Sequence, residues 1–202
     1  LTAEFEKGIT GLIDRLLHSE SPAASEFLKA FEHFVYEYGS RGPNEWEARS
    51  PSWETRPELA LNAIDRMRVA GDELAPKTQN AERAIQREQA ATELLSLVET
   101  DPEVHGELAV GIAASAAWLP ARERTKTNNI RLIHEMRMIM RAIGARMVEK
   151  NAFDEIEDFG FVTEEEYASL FKEPTSMLDT IRSRREEYYK LLEREAQFLF
   201  DG

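Results

Sequence analysis

Arg122, Lys126 and Asn129 stand four and three residues apart, the spacing that puts side chains on one face of a helix. With Arg122 at zero and about 100° per residue, Lys126 lies at about 40° and Asn129 at about 340°. Ile133, Met136, Met140, Ile143 and Met147 fall within roughly 60° of the same direction and define an apolar stripe. The three polar residues thus continue a core-facing stripe toward the start of a helix that the pattern opens at about residue 120. Cations at a helix start also oppose the macrodipole. An anion bound there would resolve both conflicts, through free backbone N–H groups and the side-chain charges. Pairing with a Glu or Asp of a neighbouring helix, or extension of the long stems into solvent, would resolve them as well.

A second group lies in the segment GSRGPNEWEARSPSWETRP, residues 39–57. Arg41 and Glu45 there could orient a substrate or pin the segment to a helix end. Trp46 and Trp53 are expected to anchor it, because such large rings normally pack. Met136, Met138, Met140 and Met147 read as core filler, or as a pliable lining for an apolar substrate. Other chemistries lack their residues. His134 beside Glu135 is not metal spacing, since adjacent helix positions diverge by about 100°. No Glu-x-x-His pair supports a di-metal bundle, no Gly-x-Ser-x-Gly elbow supports a hydrolase, and there is no cysteine.

The elements that must hold these residues are helical. Sustained period-two alternation is missing, while three-and-four spacing recurs along the chain. Phe5, Ile9, Leu12, Ile13, Leu16 and Leu17 predict a first helix to about His18. Ser21-Pro22 opens a second that Gly39 closes. Residues 39–57 form a long structured loop. Helices follow at about 57–69, 78–99, 102–118 and 120–150, the last interrupted by Gly144. After a turn-rich connector at 151–162, Thr163 with Glu166 forms a capping box for a short helix to Phe171. A last helix spans about 176–198, with Arg182, Arg184, Arg185, Glu186 and Glu187 as a solvated, salt-bridged face. The fold class is all-α, an irregular bundle of seven to eight helices in a single domain, 1–202.

The formal charge of −13 excludes a general nucleic-acid or anionic-membrane binder. It is unevenly spread: residues 121–150 carry eight basic against three acidic residues, a net of +5, which leaves −18 elsewhere. The lack of cysteine excludes a disulfide scaffold and fits a reducing, cytoplasmic setting. No apolar run reaches the roughly 20 residues of a membrane span. The first residue is Leu1, which suggests a piece cut from a longer chain.

Two segments and a connector carry a resemblance. The first runs Tyr38-Gly39-Ser40-Arg41-Gly42-Pro43-Asn44-Glu45-Trp46-Glu47, with Pro51-Ser52-Trp53-Glu54 and Pro57 after it. The second is Arg122-Glu123-Arg124-Thr125-Lys126, continuing through Ile130-Arg131-Leu132-Ile133-His134-Glu135-Met136-Arg137. The connector is Glu157-Asp158-Phe159-Gly160-Phe161-Val162-Thr163. In this order they resemble the helical central region of phosphoenolpyruvate-utilising dikinases, in the pattern of rifampicin phosphotransferase and phosphoenolpyruvate-synthase-like proteins. The likeness covers about residues 27–190. Gly160 departs from it, standing where a bulky residue is usual, and no antibiotic-pocket signature is present.

The resemblance implies a substrate-binding and linker domain of an ATP-dependent phosphotransferase. Its partners would be an ATP-grasp domain and a swivelling phosphohistidine domain of the same chain, with a small-molecule acceptor. ATP and magnesium would belong to the full-length enzyme, with no cofactor on this fragment, and Phe200-Asp201-Gly202 would begin the linker to the swivelling domain. Arg122 and Lys126 would face the place where acceptor meets phosphohistidine, joined by Asn129, Arg41 and Glu45. The fragment would be inert alone, since it holds neither a catalytic-histidine loop nor a glycine-rich nucleotide segment. The alternative is a non-enzymatic helical interaction domain whose cations sit in ordinary ion pairs.

Overall fold

In the computed structural model, which describes residues 1–71 and 75–194, two glycines cut the first predicted helix in half. Gly8 and Gly11 take φ of 95° and 68°, a left-handed backbone that side chains other than glycine rarely adopt. The result is α1 (Thr2–Glu6) and α2 (Leu12–Leu17), tied by Arg15, whose guanidinium reaches the Glu4 carboxylate and the carbonyls of Glu4, Gly8 and Thr10. Next come α3 (Pro22–Tyr38), α4 (Glu58–Arg68) and α5 (Pro76–Leu97). The two helices expected at 102–118 and 120–150 are one, α6 (Pro102–Glu149), with Pro120 inside it. Proline removes one N–H and crowds the carbonyl four residues back. The strong helix formers Ala113, Ala114, Ala116 and Ala117 favour continuation up to it. Asn151, at φ 56°, ends this run in the left-handed conformation that closes helices.

After α6 come a 3-10 turn (Ile156–Phe161), a second (Glu164–Glu166), α7 (Tyr167–Lys172), a third 3-10 turn (Pro174–Met177) and α8 (Leu178–Leu192). Thr163 and Glu166 form the predicted capping box. The described residues are thus all-helical, with eight α-helices and no strand. The predicted extension of the last helix to 198, and the terminal Phe200-Asp201-Gly202, lie outside the described residues.

The backbone groups into two units, Leu1–Glu45 with Pro51–Arg131, and Trp46–Ser50 with Leu132 onward. In the first, Phe5, Leu12, Leu16, Ala24, Phe31, Ala60 and Leu61 are buried together. A file of rings crosses this core: Phe5, Phe27, Phe31, Phe34 and Trp53, each within 6.1 Å of the next. Trp53 therefore anchors its part of the 39–57 loop. Trp46, expected to do the same, is 54% exposed. Two backbone bonds fold the loop on itself, Trp53 N to Arg41 O at 2.8 Å and Glu54 N to Gly39 O at 3.0 Å. A Cβ at Gly42 would stand 2.6 Å from the Pro51 carbonyl oxygen, so only glycine fits that approach.

In the second unit Met147, Ala152, Phe153, Phe159, Phe161, Leu170 and Ile181 form the core. Gly144 lets α6 meet the first 3-10 turn, because a Cβ there would collide with the Ile156 carbonyl oxygen. On α8, Arg182, Glu186 and Glu187 are exposed as expected, while Arg184 and Arg185 are half-buried. Arg185 bonds to Asp158, which is 1% exposed, and to Asp154, while Arg182 takes Asp154 and Arg184 takes Glu166. These pairs fasten α8 to the connector, and Asp158 also accepts the N–H groups of Asp154 and Glu155.

Candidate functional site

The fold-back of the 39–57 loop brings Arg41 within reach of Glu45, and α6 brings Lys126 and Thr127 to the same place in the first unit. Arg41 grips the Glu45 carboxylate with two N–H donors, Nε to Oε2 at 2.5 Å and Nη2 to Oε1 at 3.1 Å. Lys126 Nζ stands 2.8 Å from Glu45 Oε1, and Arg41 Nη1 donates to Thr127 Oγ1 at 3.2 Å. One turn on, Arg131 Nη2 donates to the Glu37 carbonyl at 3.0 Å, fastening α6 to the end of α3. The cluster thus rests on two helices and a pinned loop.

Depth sorts the three charges. The Glu45 side chain is 9% exposed, whereas those of Arg41 and Lys126 are 27% and 30% exposed. The carboxylate lies beneath and the cations reach outward, with donors left over on both. Burial works to raise the Glu45 carboxyl, but the bonds from Lys126 and Arg41 outweigh it and hold the group below the ordinary carboxylate range. Glu45 stays ionised near neutrality, and the trio keeps one net positive charge.

Arg122 and Asn129 are not part of this cluster. Arg122 is exposed and pairs with its neighbour Glu123 at 2.6 Å, and Asn129 is exposed. The helix start expected near them does not exist, because α6 begins at Pro102; no free N–H groups adjoin Arg122, so the anion-at-the-helix-end argument falls. The core stripe is also rotated. Ile130, His134, Arg137, Gly144 and Met147 are the buried positions of the second half of α6, and Met136 is 56% exposed. By the same wheel these buried positions are centred roughly 55° round from Arg122, nearest to Lys126 at about 40°.

Three residues escaped the sequence reading. Thr127 holds Arg41, and only the loop's path shows it. Arg137, 1% exposed, donates from Nε to the Ala48 carbonyl and from Nη2 to the Glu47 carbonyl, each at 3.1 Å. Its Nη1 lies 2.9 Å from Nδ1 of the buried His134. Their shared arc with Ile130 and Gly144 was the available signal. It was masked because the stripe was drawn through apolar residues alone. Among the described residues no group of His, Cys, Asp or Glu could hold a metal ion, and no helix is long and apolar enough to cross a membrane.

Against known families, residues 1–123 match the profile described as "Rifampicin phosphotransferase fourth domain". That span includes Arg41, Glu45 and Arg122 and stops three residues before Lys126. No curated protein matches the chain.

Proposed function

The chain belongs to the rifampicin phosphotransferase fourth-domain family, and on that premise we propose that it is the substrate-binding and linker domain of an ATP-dependent phosphotransferase. In this reading a phosphohistidine carried by a swivelling domain of the same polypeptide delivers its phosphoryl group to a small-molecule acceptor held here. ATP and magnesium are the business of an ATP-grasp domain, and no step on this chain uses them. The whole protein works in the cytoplasm.

The observation that carries the reading is the stratified cluster of Glu45 under Arg41 and Lys126. Phosphoryl transfer spreads negative charge over the equatorial oxygens and is helped by fixed cations more than by covalent chemistry. Glu45 holds two cations in register from below, so they need not reorganise as charge develops. Arg41 offers a planar fork matched to phosphate oxygens and Lys126 a point charge. Arg122, one turn before Lys126, can exchange its exposed partner Glu123 for an arriving anion, and Asn129, one turn after Lys126, can donate from its amide.

The test is the full-length enzyme with Arg41→Ala, Lys126→Ala or Arg122→Ala. Phosphohistidine should form from ATP at the wild-type rate and then accumulate, because its discharge to acceptor is slowed. A second reading has its own support: Lys126 and Arg41 both already meet a buried carboxylate, as structural ion pairs in an interaction domain would. It predicts variants that lose stability and leave phosphoryl discharge untouched.

A further inference from the structure

Arg49 is held unlike the other arginines of its unit. Its guanidinium carbon lies 4.4 Å from the ring centres of both Phe161 and Tyr188 and 5.6 Å from that of Tyr189. Nη2 donates to the Tyr189 hydroxyl at 3.2 Å, and Nε is buried without a hydrogen-bond partner among the described residues. No carboxylate pairs with it there, whereas Arg141, Arg182, Arg184 and Arg185 each meet one. The three rings are assembled for this, since Tyr188 lies edge-on to both Phe161 and Tyr189, each at 5.7 Å. Gly160, the one residue of the connector that departs from the family pattern, is explained by the same contact. A Cβ at Gly160 would stand 2.5 Å from Arg49 Cδ, so a side chain there would take the space the Arg49 stem occupies.

We infer that Phe161, Tyr188 and Tyr189 form a guanidinium receptor, and that Arg49 is the tongue of a releasable latch that fastens the strap Trp46–Ser50 to the rest of its own unit. Arg137 holds the same strap by the carbonyls of Glu47 and Ala48 from below, as a permanent anchor. The Arg49 attachment is of a different kind. Ring faces attract a cation, yet the orphaned Nε and the missing counter-charge work against seating it. Gains and losses of similar size make a fastening that opens without unfolding the core beneath. The inference goes beyond the phosphoryl-transfer reading and stands without it. Glu47 and Ala48, held by Arg137, stand between Arg49 and Glu45, so an open latch frees the end of the strap and leaves Glu45 restrained.

The latch is tested by amide hydrogen exchange of the full-length protein in three forms: wild type, Arg49→Ala and Gly160→Ala. The second variant ejects the stem while keeping its charge, and it guards against an effect special to deletion of the arginine. Amides 48–50 should exchange about tenfold faster or more in both variants, while amides around Ile181 in α8 keep wild-type protection. In wild type, exchange of 48–50 should change little between low and high salt, because no surface ion pair holds the tongue. Unchanged exchange at 48–50 in both variants overturns the latch. So does loss of protection throughout α8, which would make Arg49 an ordinary part of the core.

Discussion

Three glycines on α6 test whether close packing or helix propensity controls this helix. Exchanging a mid-helix glycine for alanine stabilises by roughly 0.8–1 kcal/mol when nothing opposes the new methyl. Gly106 and Gly111 meet that condition, with no heavy atom within 4 Å of a Cβ built on either. Each of Gly106→Ala and Gly111→Ala should therefore gain about 0.5–1 kcal/mol. Since 1.4 kcal/mol is tenfold, amides in that stretch should exchange about twofold to fivefold more slowly. Gly144 is different. A Cβ there meets the Ile156 carbonyl oxygen, with Ile156 C at 3.1 Å and Cγ2 at 3.2 Å behind it. The obstacle is backbone, which cannot swing aside as a side-chain tip can. Overpacking of this kind costs about 1–3 kcal/mol, and the propensity gain offsets up to roughly 1 of that. With backbone as the obstacle the cost belongs at the upper end of that range, so Gly144→Ala should come out destabilised by about 2 kcal/mol in urea unfolding followed by circular dichroism. A Gly144→Ala protein as stable as wild type, or more so, would show that α6 does not depend on this approach to the connector.

Other expectations concern the ties around the two cores. Arg137→Met removes the donors to the Glu47 and Ala48 carbonyls and should cost about 3–5 kcal/mol in urea unfolding, with Arg137→Lys recovering only part, since an ammonium cannot reproduce the fork. Glu166 is held at about 2 by its bonds from Arg184 and the Thr163 N–H. A depressed carboxyl stabilises the fold above its unfolded value near 4.5 and loses that contribution as pH falls toward 2. Stability of the wild type should therefore decline across that window, and Glu166→Gln should flatten the decline; an identical acid limb in both proteins would refute the assignment.

Much of the fold was legible because helical periodicity survives without tertiary information. The Thr163–Glu166 box and the Pro22 start of α3 follow from local spacing. The errors have common physical roots. Gly8 and Gly11 broke a helix because their backbone is left-handed, and Pro120 failed to break one because the run before it is rich in alanine. At the site, the sequence singled out Arg41, Glu45 and Lys126 separately, but no local rule says that the loop carboxylate lies under both cations. The helical wheel was turned by about 75° because its stripe was drawn through apolar residues alone, which left out the buried His134 and Arg137. A buried arginine can fill a core position when backbone carbonyls without strand or helix partners need donors, as those of Glu47 and Ala48 do.

The central claim is that Arg41 and Lys126, held from below by Glu45, stabilise a phosphoryl group in transfer. Its most direct measurement is a single-turnover rate in the full-length enzyme, from preformed phosphohistidine to acceptor, comparing wild type with Lys126→Met. Methionine keeps the packing of the stem and removes only the charge. The account predicts discharge slowed by about 10²-fold, the effect of removing one preorganised donor, with phosphohistidine formation from ATP unchanged. Discharge at the wild-type rate in a folded Lys126→Met enzyme would contradict it and leave the cluster a structural ion pair.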